Sequence, residues 1–355
     1  MRINHSFFSN LAFKIAEKNI GSTNINPSVG CLVVKNNSVI SSGLTSVNGR
    51  PHAEFNALKK NIDFTGSEMY LTLEPCTHFG LTPPCTEIIK KKKIKRVFYC
   101  FNDPDVRTYK MAKKELGKKN IKLIKINNLK NNFYESYFFN KKKDLPFLDA
   151  KIALSKDLFT IHKKSKWITN YRSRIVGHLI RSRYDGIIST SKSINKDNSL
   201  LNCRIDGLNQ LKPDLFIIDR NLKLKKNLKL LNLSNKRKTF IFTISNNINK
   251  INYFKKKGCR IIKLKKLNSK QDFNVILRKI YKLNRRRLIV ESGLIFLNIL
   301  IKYKLINNLF IFKSNKKVKN KGYNNDKIIF LRKNKLNNAL KVNLNGDKLF
   351  KLRIK

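Results

Sequence analysis

Between His52 and Cys85 the chain brings together two of its five histidines, a glutamate two residues after the first, and two of its six cysteines, in the segments PHAEFNAL and EPCTHFGLTPPC. A catalytic zinc ion takes three protein ligands from imidazole and thiolate and leaves the fourth corner of its tetrahedron for water. His52, Cys76 and Cys85 supply such a set, and Glu54 is a carboxylate placed to carry a proton beside it. The grouping constrains the backbone. Residues two apart on a regular helix point to nearly opposite sides, so the His-Ala-Glu segment has to stand at a helix entrance. Pro84 suits the first turn of a helix beginning around Cys85, and the positive end of that helix is expected to stabilise the Cys85 thiolate. Taken singly, each residue has a plainer account: a capping histidine, a buried cysteine, a solvated glutamate. His78, between the two cysteines, reads equally as a substrate contact or as a loop residue with no metal role.

The surrounding pattern alternates between the two periodicities. Residues 7–19 carry a helical stripe of Phe8, Leu11, Ala12, Ile15 and Ala16. Strands are expected at 30–35 and 37–43, joined by a turn at Asn36-Asn37, and again at 68–73, 95–100 and 120–126. Helices are expected at 53–60, 85–93 and 108–118. This order predicts an α/β layered sheet. The polar run Asn140–Asp144 ahead of Pro146 marks a boundary, giving domains 1–145 and 146–355. Beyond it strands are expected at 147–154, 185–189, 214–219, 238–243, 259–264, 287–292 and 307–313, with helices at 171–183, 271–283 and 294–303. The Lys/Asn-rich stretch after about residue 314 gives no clear pattern.

A chain of 355 residues with 41% hydrophobic content can bury two cores. No apolar run approaches the ~18 residues of a membrane span, and Lys14, Glu17 and Lys18 interrupt the N-terminal stripe, which reads as an amphipathic helix and not a signal peptide. A cytoplasmic setting follows as the expectation, where thiols stay reduced; Cys31, Cys100, Cys203 and Cys259 then read as core residues. The net charge of +55 invites a nucleic-acid reading. The lysines, however, are spread through both halves together with Asn and Ile, three residues with A/T-rich codons, so a solvated surface shaped by composition explains them better than a dedicated binding face. Such a charge still attracts anionic phosphates, and nucleic acid without specificity.

His-x-Glu followed by Pro-Cys is the signature of zinc deaminases. More closely, NPSVGCLVV, GRPHAEFNAL and LEPCTHFGLTPPCTEII resemble the deaminase half of the bifunctional riboflavin-biosynthesis deaminase/reductases, the RibD family. Nucleic-acid deaminases commonly carry Pro-Cys-x-x-Cys, whereas eight residues separate Cys76 from Cys85 here. Thr45 stands where many relatives have histidine. The resemblance implies an α/β chain: an N-terminal cytidine-deaminase-like three-layer α/β/α domain and a C-terminal dihydrofolate-reductase-like α/β domain. It implies zinc on His52, Cys76 and Cys85, Glu54 as the proton carrier, and Asn26 as a hold on the base of a phosphorylated diaminopyrimidine substrate.

The resemblance continues through KIALSKD, KSKWIT, the stretch from Leu179 to Arg204, and VESGLIF. It implies NADPH as second cofactor, with Ala153, Trp167, Ser193, Asp197, Arg220 and Gly293 toward the nucleotide, and Ser165, Arg181, Leu201, Arg204 and Glu291 toward the substrate. Arginines suit bidentate phosphate recognition, and glycine lets a backbone approach pyrophosphate at a helix start. Without the family, Trp167 reads as core and the arginines as solvated helix residues. Leu158 replaces a glycine, Asp197-Asn198-Ser199 replaces Asp-Asp-Pro, and Arg220 replaces a small polar residue. A homo-oligomer with no specific nucleic-acid or membrane partner is expected. Two other readings stay open: a deaminase whose second half has become structural, and an RNA-binding nucleobase deaminase, against which the cysteine spacing and the matching second half both count.

Overall fold

The alternating side chains of the strand Gly30–Lys35 (β1) serve two helical layers at once. Leu32 and Val34 pack with Phe8 and Ala12 of the helix His5–Ala16 (α1), while Cys31 and Val33 turn the other way, toward Ala53 and Ala57 of Ala53–Leu58 (α2) and Ile89 of Cys85–Lys91 (α3). Strands buried on both faces read as continuous apolar runs, and Glu68–Leu73 (β3) is buried along its whole length. With Ser38–Leu44 (β2), Arg96–Phe101 (β4) and Lys122–Lys125 (β5), the sheet order is β2-β1-β3-β4-β5; β1 is antiparallel to both of its neighbours and the rest are parallel. The β1–β2 turn holds Asn36 and Asn37 at φ 51° and 59°, the paired left-handed conformation that two-residue hairpins require.

The computed structural model describes residues 4–127, 132–208, 212–332 and 335–355, and the chain divides into two units, Met1–Asp144 and Leu145–Lys355. The helix expected over 108–118 begins only at Ala112 (Ala112–Gly117, α4), because Lys110, at φ 58°, breaks the run. The polar run 140–144 is no loose linker: residues Glu135–Lys143 form a helix (α5) that ends at Asp144 in the left-handed conformation.

The second unit runs through Phe147–Leu154 (β6), Ile161–His162 (β7), Tyr171–Ser182 (α6), Gly186–Thr190 (β8), Ser191–Asp197 (α7), Asp214–Ile218 (β9), Thr239–Thr243 (β10), Ile248–Lys256 (α8) and Cys259–Lys263 (β11). It continues with Lys270–Lys282 (α9), Arg287–Val290 (β12), Leu294–Lys302 (α10), Asn308–Lys313 (β13), Gly322–Tyr323 (β14) and Lys348–Arg353 (β15). Eight strands form one sheet in the order β11-β10-β9-β8-β12-β6-β13-β15, parallel except for the antiparallel edge pair β13–β15. One face packs on Phe273, Ile276 and Ile280 of α9 and on Leu294 and Leu297 of α10; the other takes Ile187, Leu215, Ile217 and Ile241 against Phe254 of α8. The Lys/Asn-rich tail therefore supplies the edge strand β15, with Leu349 and Phe350 buried.

Candidate functional site

The helix α2 is seated by a missing side chain. A Cβ on Gly43 would fall 2.2 Å from the carbonyl oxygen of Ala53 and 2.5 Å from the amide of Ala57, so only glycine lets α2 lie this close to β2. Ser41 Oγ donates to Ala57 O at 2.6 Å, and Asn56 Nδ2 donates to Leu44 O at 2.8 Å, fixing the helix in place. At its entrance His52 is the N-cap, extended at φ −69° and ψ 163°, and Glu54 lies in the first turn. The break in helical geometry at His52 is what brings two residues of i, i+2 spacing to one site.

Nδ1 of His52 lies 3.4 Å from Cys85 Sγ and 3.6 Å from Cys76 Sγ, and the three ligand atoms all fall within 4.8 Å of one another. A tetrahedron built with Zn–S of about 2.3 Å and Zn–N of about 2.0 Å has nitrogen–sulfur edges of about 3.5 Å. The donor set fits zinc in chemistry and in spacing. The helix-start expectation needs correcting: Cys85 is the first residue of α3, but its N–H donates to Cys76 Sγ, at 3.2 Å. Hydrogen bonds from the Cys85 thiol, His52 and that N–H hold the Cys76 thiol down at about 4, whereas its bond to Cys76, with burial and Glu54, pushes Cys85 well up. The helix end thus serves the neighbouring thiolate. Glu54 is 4% exposed, and burial, with Cys76 beside it, raises its carboxyl to about 7, a range in which a carboxyl group can both take and return a proton near neutrality.

The loops around this centre are tied to one another. Asn26 donates from Nδ2 to Gly49 O at 2.8 Å, joining the 23–26 turn to the segment that leads into His52. Thr45 is buried and accepts from Val29 N at 2.9 Å, a structural bond. His78 Nδ1 lies 3.1 Å from Thr108 Oγ1. Sequence reasoning missed Glu74, a buried carboxylate two residues before Cys76 whose Oε2 accepts from Asn102 Nδ2, Asp103 N and Lys110 N at 3.2–3.3 Å. An acidic residue directly after a strand that is buried along its whole length, EMYLTLE, was the available signal.

In the second unit a cluster forms around Glu291, just after β12. Arg181 of α6 grips its carboxylate with Nε at 2.5 Å and Nη2 at 2.9 Å, and Lys151 of β6 adds Nζ at 2.9 Å. Burial pushes the Glu291 carboxyl up, but the two cations outweigh it and hold it well below the usual carboxylate range. Arg181 Nη1 also donates to Asn202 O at 3.0 Å. Arg181 is therefore neither a solvated helix residue nor an open fork for phosphate. Arg204, by contrast, is exposed, with Nη1 on Asn202 Oδ1 at 2.9 Å. Leu201 has its side chain in the core, and its carbonyl accepts from Arg237 Nη1 at 2.9 Å.

A second group joins Ser193 and Gly293. Gly293 N donates to Ser193 Oγ at 3.0 Å, and Gly293 caps α10 without any side-chain hydrogen bond. Its φ is −65°, and among the described residues a Cβ there would meet only Ser193 Oγ, at 3.7 Å. The protein itself does not demand glycine at this point, so the open N–H groups at the head of α10 fit an anionic cofactor group. Trp167 is 50% exposed under the Arg174 guanidinium, 4.6 Å from its ring, which overturns the core reading; Ser165 Oγ accepts from Trp167 N at 3.1 Å. Ala153 lies on β6 opposite Phe312, Asp197 ends α7, and Arg220 is exposed after β9. Leu158 has φ +68°, so the position does require the left-handed conformation that glycine adopts freely.

Residues 2–101 match the cytidine and deoxycytidylate deaminase zinc-binding region, and residues 146–316 match the RibD C-terminal domain. A chain so built is a bifunctional enzyme, a zinc-dependent hydrolase joined to an oxidoreductase. It is 31% identical over 310 residues to the riboflavin biosynthesis protein RibD of Aquifex aeolicus, covering 86% of this chain and 85% of that one. With the RibD of Actinobacillus pleuropneumoniae it shares 30% identity over 291 residues, covering 79% and 76%. The crystal structure of a diaminohydroxyphosphoribosylaminopyrimidine deaminase/5-amino-6-(5-phosphoribosylamino)uracil reductase from Thermotoga maritima superposes with a TM-score of 0.83 at 26% identity, covering 98% of each chain. The chain belongs to the RibD family of bifunctional riboflavin-biosynthesis enzymes, with zinc and NADPH as cofactors. The match through the second half leaves the reading as an RNA-binding deaminase without support.

Proposed function

We propose that residues 1–145 deaminate 2,5-diamino-6-ribosylamino-4(3H)-pyrimidinone 5′-phosphate and that residues 146–355 then reduce its ribosyl group, giving 5-amino-6-(5-phosphoribitylamino)uracil. The observation that carries the first step is the placement of Glu54, buried, in the first turn of the helix that His52 caps. Zinc held by His52, Cys76 and Cys85 supplies the Lewis acidity that makes water a nucleophile near neutral pH. Glu54 takes a proton from that water as its oxygen adds to the ring carbon, and returns it to the amino group, which leaves as ammonia when the C–N bond breaks. Asn26 orients the base from the 23–26 turn.

For the second step, NADPH supplies the hydride that reduces the anomeric carbon of the ribose, and the ring C–O bond opens with a proton passing to the ring oxygen. Ser193 and Gly293 at the head of α10, with Ala153, Trp167, Asp197 and Arg220, hold the nucleotide. Arg204 and Ser165 bind the substrate with the backbone of Leu201, and Arg181 serves by fixing Glu291 for its contact with the sugar. Six free cysteines support a cytoplasmic, reducing setting; assembly as a homo-oligomer completes the reading, and the mass of the particle in solution tests it. Glu54→Gln is the test of the first step: the variant is expected to keep its zinc and lose about 10²–10⁴-fold in ammonia release, and near-normal turnover would move the proton-carrying role elsewhere.

A further inference from the structure

Arg237, just before β10, is 1% exposed and heads the largest fully buried side chains of the protein. Its Nη1 donates to the carbonyl of Leu201 at 2.9 Å, while Nε and Nη2 have no hydrogen-bond partner among the described residues. The carboxylate acting on it from nearby, Asp214, is already bound by Arg285, with Nε and Nη2 each 2.7 Å from Oδ2. Burial lowers the guanidinium to about 10, so it stays charged at neutral pH. Burying a cation with unsatisfied N–H groups is costly, and an apolar side chain of similar volume would fill the space without that cost. Arg237 therefore needs an account other than packing.

The position of its one bond gives that account. Leu201 is held at φ +50° with its side chain in the core, and the next carbonyl along, that of Asn202, accepts from Arg181. Two arginines from different parts of the fold thus hold two successive carbonyls. The segment they hold ends in Arg204, the exposed arginine, whose Nη1 lies on Asn202 Oδ1. We infer that Arg237 is a positioning residue for the substrate of the second unit: it fixes the Leu201 carbonyl, and through it the Asn202–Arg204 edge that receives the substrate phosphate. The inference rests on the proposed reductase function of the second unit. Arg237 itself touches no substrate.

The stability and binding effects of removing it are expected to have different signs, which separates positioning from structure. The experiment measures, by calorimetry on the full chain, the equilibrium binding of the deaminated ribosylaminouracil phosphate and of NADP⁺, beside the melting temperature, for the wild type, Arg237→Met and Arg237→Lys. Arg237→Met is expected to weaken substrate binding about tenfold, leave NADP⁺ within twofold, and melt no lower than the wild type. Arg237→Lys, which keeps a donor for Leu201 O, is expected to recover most of the substrate affinity. A lower melting temperature with unchanged substrate binding in Arg237→Met overturns the inference, as does equal weakening of both ligands. Failure of the Met variant to fold, with the Lys variant binding as the wild type does, also overturns it by making the role structural. A wild type that binds neither ligand refutes the reductase function of the second unit and takes the positioning role with it.

Discussion

His52, Glu54, Cys76 and Cys85 could be picked out by residue type and spacing together, because a metal centre draws on few side chains and tolerates few substitutes. What their types did not disclose was the direction of the α3 N–H, which reaches Cys76 and not the residue that carries it. Cys85→Ser is expected to lose most of its zinc, read by metal analysis, and to lower the melting temperature of the first unit, since a hydroxyl is a poor substitute for a thiolate ligand. Full zinc content in that variant, and in those of His52 and Cys76, would remove the site. In the second unit the residue types were legible and their partners were not: Arg181 was read toward phosphate, and its partner Glu291 lies on a distant strand end that only the folded sheet brings near. His178 on α6 makes a related prediction. Burial, with Arg181 and Arg204, lowers its imidazole to about 4, from an ordinary value near 6.5 in the unfolded chain. Between these two values the unfolded state binds the extra proton, so this contribution to stability is complete above about pH 6.5 and is lost as pH falls toward about 4. Melting temperatures measured across that window should fall less steeply in His178→Asn than in the wild type; parallel curves would show that His178 carries no such linkage.

Elements with strong apolar patterns, such as β1, β3 and β6, were readable within a residue or so of their ends, whereas α5, α7, α8 and β15 were not. The physical reason is shared. Helix α8 buries only Phe254 in a run of Asn and Lys, and β15 buries two residues among lysines, so each gets its structure from the sheet it joins and little from its own pattern. The seat of α2 was equally silent, since a glycine in SVISSGL signals neither a helix nor a metal site until the two pack. Gly43→Ala forces that helix off β2, and with it His52 and Glu54. A displacement of about 1 Å can cost about 10²-fold in rate, so deamination should fall by one to two orders of magnitude while the second unit keeps its NADPH oxidation. Deamination unchanged in this variant would show that α2 has slack. The 155–159 turn is a second case. Asp157 accepts from Val318 N and Lys319 N, at 3.1 and 2.8 Å, which locks Leu158 at its positive φ. Left-handed geometry costs an L-residue about 1–2 kcal/mol, and glycine gives back about 0.5–1 kcal/mol in chain entropy. Leu158→Gly should therefore raise the melting temperature slightly and tighten NADPH; a stabilised variant with unchanged NADPH affinity would confine the strain to the loop.

At the scale of the whole molecule, 77 Lys and Arg against 22 Asp and Glu surround two units whose proposed substrates both carry phosphate. Long-range attraction of that kind is screened over about 10 Å at 0.1 M salt, so added salt should raise KM in both half-reactions with little change in kcat; a salt-independent KM would leave the charge without a catalytic consequence. Composition also imitated a nucleic-acid binder, and only the cysteine spacing and the second unit separated the two. Sequential catalysis of both reactions by one chain follows from the two units together. It is tested most directly by giving the purified, zinc-loaded chain the diaminopyrimidine ribosyl phosphate with and without NADPH, and following ammonia release and NADPH oxidation together. Ammonia is expected in both cases, with accumulation of the deaminated ribosyl compound without NADPH, and one NADPH oxidised per ammonia released when it is present. Ammonia release without NADPH oxidation, even when the deaminated compound is supplied directly at saturating NADPH, would contradict sequential catalysis and leave a deaminase with a structural second unit.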